Sequence, residues 1–127
     1  MNLERVVFGF FIILALALNL GFVAGTIDNP EHHDPWLLFA ALMIGLITSG
    51  LKLGDRSQLG ALVLAASLVA NLLLMIAVSI WAISEGGMEQ TVSPGLMVTV
   101  ISLAYGALAA NIVSVAVLVS DTLMSRR

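Results

Sequence analysis

The stretch KLGDRSQ at residues 52–58 decides the fold, because it contains the only basic residues in the interior of the chain. A long apolar run lies on each side of it. A short charged segment between two such runs is typical of a turn between membrane-spanning helices. Its lysine and its arginine also indicate which side of the membrane the turn faces, since basic loops remain in the cytoplasm.

The composition restricts the chain to the class of membrane proteins. Of its 127 residues 60% are hydrophobic and 10% are charged, and the mean hydropathy is +1.08. Soluble domains are about 25% charged, so we expect a lipid bilayer to surround most of this surface. The net charge of −3, with five basic residues, excludes a basic patch for nucleic acid. The lack of cysteine excludes disulfides, thiolate metal sites and cysteine nucleophiles.

Four apolar runs predict four transmembrane helices, at residues 6–25, 36–53, 57–84 and 94–121. Each run is long enough to cross about 30 Å of hydrocarbon, which takes about 17–25 helical residues. Two of the runs begin with a capping residue followed by proline, Asp34-Pro35 and Ser93-Pro94. Because the connections have about ten residues or fewer, the sequence predicts one all-α domain over residues 1–127, an up-down four-helix bundle.

The distribution of charge predicts the orientation of the bundle. If the spans alternate in direction, every basic residue falls on one side of the membrane: Arg5, Lys52, Arg56, Arg126 and Arg127. The opposite side carries acidic residues and no lysine or arginine. By the positive-inside rule, both termini and the turn at 52–58 are cytoplasmic. Trp36 and Trp81 then lie at the outer boundary, where aromatic residues are enriched.

An asparagine lies in three of the four predicted spans, whereas no ionisable residue other than a tyrosine lies deep in any of them. Asn19, Asn71 and Asn111 are each 14 or 15 residues from a cytoplasmic arginine, which is about 21–23 Å along a helix. We therefore expect one polar layer in the outer half of the bilayer. At that level the second span offers only apolar residues, near Leu37 and Leu38.

Three interpretations of the asparagine layer are open. An unpaired amide in hydrocarbon costs several kcal/mol, so each side chain should face inward and form hydrogen bonds. The first interpretation is bonding between helices, worth about 0.6–2 kcal/mol per bond. The second is an ion or water site lined by amide oxygens, although such sites normally include a carboxylate. The third is a helix of another protein that bonds to the layer.

Small residues predict where the helices touch, since they let two backbones approach closely. In the fourth span they recur at every fourth position, at Ser102, Gly106, Ala110 and Ser114. In the third span Gly60 and Ser67 share a face with Asn71.

The loop at residues 26–35 is the one stretch that is dense in possible metal ligands. Its candidates are Glu31, His32, His33 and Asp34, which could bind Zn²⁺ or sense pH. Adjacent histidines point apart, however, and no second cluster of ligands completes a site. A solvated acidic loop is the simpler interpretation, so we expect no metal.

Three segments carry a resemblance to a known family: MNLERVVFGFF at residues 1–11, IDNPEHH at 27–33 and LGDRSQLGAL at 53–62. They resemble an uncharacterised family of small four-span bacterial inner-membrane proteins, catalogued as a domain of unknown function. The resemblance implies a location in the bacterial inner membrane and an association with Trk-type potassium uptake. It implies no active-site residue.

Three functional hypotheses follow, none of them enzymatic. The spans hold serine and threonine without a base in reach, and the chain contains neither a phosphate loop nor a zincin motif, so no enzyme activity or cofactor is expected. The first hypothesis is an accessory subunit of a larger ion transporter, or a homo-oligomer. The second is a small oligomeric channel for ions or solutes, lined by the asparagine layer. The third is a periplasmic metal or pH sensor.

Overall fold

The structure is a computed structural model and describes residues 3–24, 35–53, 58–86 and 93–125. These residues form four α-helices: α1 (Leu3–Val23), α2 (Pro35–Lys52), α3 (Gln58–Gly86) and α4 (Pro94–Ser125). Each helix is long and apolar enough to cross a membrane. The prediction of an all-α, multi-pass membrane protein with four spans is confirmed. The helix ends differ from the predicted spans by at most four residues: α1 begins three residues earlier and α4 ends four residues later, whereas α1 and α2 end before the predicted limits.

The beginning of α4 is capped as the sequence predicts. The backbone N–H of Leu96 donates to Ser93 Oγ at 3.3 Å, and the N–H of Met97 donates to the Ser93 carbonyl at 2.9 Å. Ser93 is therefore the N-cap, and Pro94 occupies the first helical position, where its missing N–H leaves no hydrogen bond unmade. The corresponding Asp34 before α2 lies outside the described residues.

The helices pack in a closed ring. α1 contacts α2 and α4, and α3 contacts α2 and α4, with the most extensive contact between α3 and α4. At one end of the ring a small apolar cluster joins Phe8, Ile12 and Val63. Partly buried side chains near the end of α4 pack against this cluster, among them Leu118. Lys52 at the end of α2 reaches the same place, where its Nζ lies 4.5 Å from the centroid of the Phe8 ring.

A larger apolar cluster occupies the other end and the centre of the bundle. Its largest buried side chains include Phe22 from α1, Leu38 from α2, Trp81 from α3 and Met97 from α4. The rings of Phe22 and Trp81 pack with their centroids 6.0 Å apart. All four helices therefore contribute to this larger cluster.

The outer surface is also apolar. Large hydrophobic side chains are exposed on every helix, for example Phe10, Phe39, Leu72 and Ile112. A soluble protein seldom exposes a contiguous apolar area of this kind. An apolar surface on all sides of a closed bundle is the arrangement that lipid requires.

Candidate functional site

Seven polar side chains are buried inside the bundle: Asn19, Thr48, Ser49, Ser67, Asn71, Asn111 and Ser114. The buried indole N–H of Trp81 adds a further polar group to the described part of the interior. Burying a polar atom costs free energy unless the atom is hydrogen-bonded. The hydrogen-bond partners of each buried side chain therefore indicate its role in the bundle.

The first amide site joins α1 to α4. Asn19 is fully buried, and the orientation of its amide follows from its partners. Its Nδ2 donates to the carbonyl of Ala104 at 3.1 Å. Its Oδ1 accepts from the backbone N–H of Leu108 at 3.0 Å and from Asn111 Nδ2 at 3.2 Å. Ala104 and Leu108 are four residues apart, so Asn19 bonds to both members of one backbone pair in α4.

The second amide site joins α3 to α2. Asn71 Nδ2 donates to the Gly45 carbonyl at 3.2 Å and to Ser49 Oγ at 2.7 Å. A Cβ atom at position 45 would collide with Asn71 Oδ1, so only glycine lets the amide approach α2 this closely. Asn71 Oδ1 is buried and has no hydrogen-bond partner. The donor of this amide is satisfied and its acceptor is not.

A third polar contact joins α4 to α3. The hydroxyl of Ser114 donates to the Val63 carbonyl at 3.5 Å, which is long for an O–H···O bond. Among the described residues, polar contacts thus link α1 to α4, α2 to α3 and α3 to α4. The amides are used to hold neighbouring helices together.

The three asparagines do not form one hydrogen-bonded group in the structure. It brings Asn19 and Asn111 into contact, while Asn71 bonds to α2 instead. The expectation that α2 offers only apolar groups near Leu37 and Leu38 is wrong, because Gly45 and Ser49 receive the amide. Counting residues from the charged ends treats the helices as parallel rods, whereas packed helices tilt against one another. The signal for this site is a pair of small residues four positions apart, Gly45 and Ser49, which the sequence analysis did not single out.

The small residues of α4 do not all face a neighbouring helix. Ser114 is buried, and Gly106 and Ala110 are half-buried. Ser102 is exposed, and its hydroxyl donates to the Val98 carbonyl at 2.7 Å in its own helix, so it does not pack against a neighbouring helix of this bundle. A spacing of four residues advances about 40° around a helix at each step, so the stripe turns out of the interface. In α3, Gly60 and Ser67 are both buried.

The predicted metal ligands Glu31, His32, His33 and Asp34 lie outside the described residues. In the described ranges no group of three or more His, Cys, Asp or Glu side chains could hold a metal ion. The amide sites are therefore the candidate functional features that the structure makes visible.

These features define a multi-pass membrane protein with four helices, whose interior polar groups tie adjacent helices together. The chain belongs to a family of unknown function, DUF6394, whose pattern matches residues 32–122. The matched region includes the turn at 53–62 that carried the resemblance, but not residues 1–11. No curated protein and no solved structure matches the chain.

Proposed function

We propose that the protein is a non-enzymatic subunit of the bacterial inner membrane that packs against a larger ion transporter or against copies of itself. Both termini and the turn at 52–58 face the cytoplasm in this proposal, and the helices alternate in direction. The contact between Lys52 and the ring of Phe8 supports the alternation, since it joins the end of α2 to the beginning of α1. The basic residues support the sidedness.

The observation that carries this proposal is the use of the buried amides. Asn19, Asn71 and Asn111 are at most 5% exposed, and their hydrogen bonds run between helices of the same chain. A bundle closed in this way is a preformed unit with an apolar exterior. That apolar exterior is the described surface on which a partner can dock.

One outer face is the best candidate for a partner. Thr99, Ser102 and Tyr105 follow one another at three-residue intervals on the exposed side of α4, and Tyr105 is 46% exposed. The hydroxyls of Thr99 and Ser102 donate to carbonyls of their own helix. Each of these hydroxyl oxygens can still accept a hydrogen bond from a second helix, and small polar residues are enriched where membrane helices pack together. We therefore assign this face to the partner helix.

Cross-linking tests the assignment, because the chain has no cysteine of its own. With Ser102→Cys in native membranes we expect a disulfide-linked dimer or a larger cross-linked complex on mild oxidation. Leu72→Cys, at an exposed position of α3, is the matched control and should stay monomeric. A monomer from both variants, together with a dispersed monomer in mild detergent, would count against the proposal.

The oligomeric channel requires the asparagines at a boundary between subunits, whereas this bundle encloses them. Vesicle flux that falls in Asn71→Leu and Asn111→Leu would favour the channel over the accessory subunit. The sensor hypothesis predicts that His32→Ala/His33→Ala abolishes Zn²⁺ binding and the response to pH.

A further inference from the structure

The exposed side of α4 carries a line of small residues. They follow one another at intervals of four, three, seven and seven positions: Gly95, Thr99, Ser102, Ala109 and Ala116. These intervals are multiples of about 3.5 residues, the repeat that keeps a line of residues on one side of a helix when two helices coil around each other. All five residues are exposed. A second helix can therefore approach α4 closely along this small-residue line.

Tyr105 lies beside the small-residue line and carries a hydrogen-bond donor without an acceptor. Its side chain is 46% exposed, and no described residue accepts a hydrogen bond from its hydroxyl. The depth of Tyr105 follows from its neighbour Gly106, which lies against Leu73, near the middle of the apolar span of α3. Lipid chains at that depth hold no acceptor, so an unpaired hydroxyl costs free energy there. The acceptor that Tyr105 requires is therefore a group on a second protein helix.

The small-residue line itself holds acceptors of the kind that Tyr105 lacks. The hydroxyls of Thr99 and Ser102 use their hydrogens to donate to the carbonyls of Gly95 and Val98, but a hydroxyl oxygen also has lone pairs that accept. Ser102 precedes Tyr105 by three residues, which is about 4.5 Å along the helix axis. Helical side chains lean toward the N-terminus, so the ring of Tyr105 carries its hydroxyl toward the level of Ser102. One face of α4 thus presents a donor and its matching acceptor at nearly the same depth.

A face that holds both halves of a hydrogen bond is complementary to itself. Two copies with the same orientation in the membrane are related by a two-fold axis along the membrane normal, which keeps each residue at the depth of its counterpart. We propose that two copies of the chain pair through the small-residue line of α4, and that the Tyr105 hydroxyl donates to Ser102 of the partner subunit. This inference rests on the proposed function and names its partner. The symmetry forms the bond twice, so both tyrosine hydroxyls are satisfied.

The test measures the dimer in the absence of other proteins. The purified chain, labelled through a C-terminal tag, is reconstituted into lipid vesicles at decreasing density, and single-molecule photobleaching counts the copies in each particle. We expect a dimer that dissociates on dilution. Tyr105→Phe removes only the hydroxyl and should raise the dissociation constant about tenfold, because two hydrogen bonds between helices are lost. Ser102→Ala removes the acceptor and should have the same effect, and the double variant should be no weaker than either single variant.

Two larger substitutions locate the interface. Ser102→Leu holds the helices apart and should abolish the dimer. Ser79→Leu is the matched control, since Ser79 is exposed on α3 and its hydroxyl donates to the Met75 carbonyl of its own helix in the same way. It should leave the dimer unchanged. If circular dichroism shows that Ser102→Leu loses helix, Ala109→Leu on the same line replaces it.

A chain that stays monomeric at every density, or a dimer that neither Tyr105→Phe nor Ser102→Leu weakens, would overturn this inference. The proposed function is tested separately by cross-linking in native membranes. A monomer in vesicles together with a Ser102→Cys cross-link to a larger protein would exclude the second copy as the partner and retain the accessory subunit. A monomer in vesicles without any cross-link in native membranes would overturn both.

Discussion

The two amide sites use the same residue type with opposite results. Asn19 bonds to a carbonyl, a backbone N–H and a second amide, so both ends of its side chain are satisfied. Asn71 finds a carbonyl and a hydroxyl for its donor, and its acceptor is left without a partner. The difference lies in the bonds to the facing helix, since α4 both donates to Asn19 and accepts from it, whereas Gly45 and Ser49 of α2 only accept from Asn71. The α1–α4 interface should therefore be the more stable one.

The largest effect is expected for Asn19→Leu. The substitution removes three hydrogen bonds and leaves Asn111 Nδ2 without the acceptor that Asn19 provides. We expect a loss of about 2–4 kcal/mol in the free energy of unfolding, from about 0.6–2 kcal/mol per bond and the cost of an unpaired donor. Titration of the detergent-solubilised protein with sodium dodecyl sulfate measures it. Asn111→Leu, which breaks one of these bonds, should cost less, and an equal cost would contradict this assignment.

Gly45→Ala tests the second site directly. The added Cβ collides with Asn71 Oδ1 and should separate α2 from α3, at a cost of about 1–3 kcal/mol. Gly50→Ala in the same helix meets no atom within 4 Å and should be neutral or slightly stabilising. The same detergent titration compares the two variants. In the double variant Gly45→Ala/Asn71→Ala the clash is absent, so the two costs should not add. Additive costs would show that the close approach of the Asn71 amide is not the reason why glycine is required at position 45.

Asn71→Leu should be milder than Asn19→Leu. The substitution breaks two hydrogen bonds, but it also removes the buried Oδ1 that has no partner. We expect a net loss of about 1 kcal/mol or less, because replacing an incompletely satisfied polar group by an apolar one recovers part of the cost. A loss as large as that of Asn19→Leu, measured by the same unfolding assay, would mean that Asn71 Oδ1 has a partner such as a bound ion or water.

The smallest effect is expected for Ser114→Ala. The hydrogen bond to the Val63 carbonyl is 3.5 Å long and is the weakest polar contact between helices described above. Its removal should lower the free energy of unfolding by less than about 0.6 kcal/mol. A larger loss would show that this serine supports the packing of α3 against α4 by more than one long bond.

Much of the fold could be predicted from the sequence, because hydrocarbon imposes simple rules. A run of apolar residues in lipid must form a helix, since every backbone N–H and carbonyl needs a partner inside the chain. Ser93 and Pro94 mark a helix start for equally local reasons, and the structure places the N-cap there. The prediction that the chain belongs to a family of unknown function is confirmed as well, by the region of residues 32–122.

The partners of the amides could not be predicted in the same way. Which carbonyl faces Asn71 depends on the tilt and rotation of α2 against α3, and these depend on how all the neighbouring side chains pack. Whether Asn71 faces Gly45 or Leu38 is therefore determined only when all four helices pack together. The exposed position of Ser102 has the same origin, since a repeat of four residues does not stay on one side of a helix.

The lengths of the helices have a consequence for the surrounding bilayer. The apolar spans of α1 and α2 contain 21 and 18 residues, whereas those of α3 and α4 contain 26 and 30. At about 1.5 Å per residue the first two are about 32 and 27 Å long and the last two about 39 and 45 Å. Lipids beside α2 thus contact a shorter apolar surface than lipids beside α4. The bilayer must therefore be thinner beside α2, or the longer helices α3 and α4 must tilt. The local thickness of the bilayer would then influence how the protein is oriented relative to neighbouring membrane proteins.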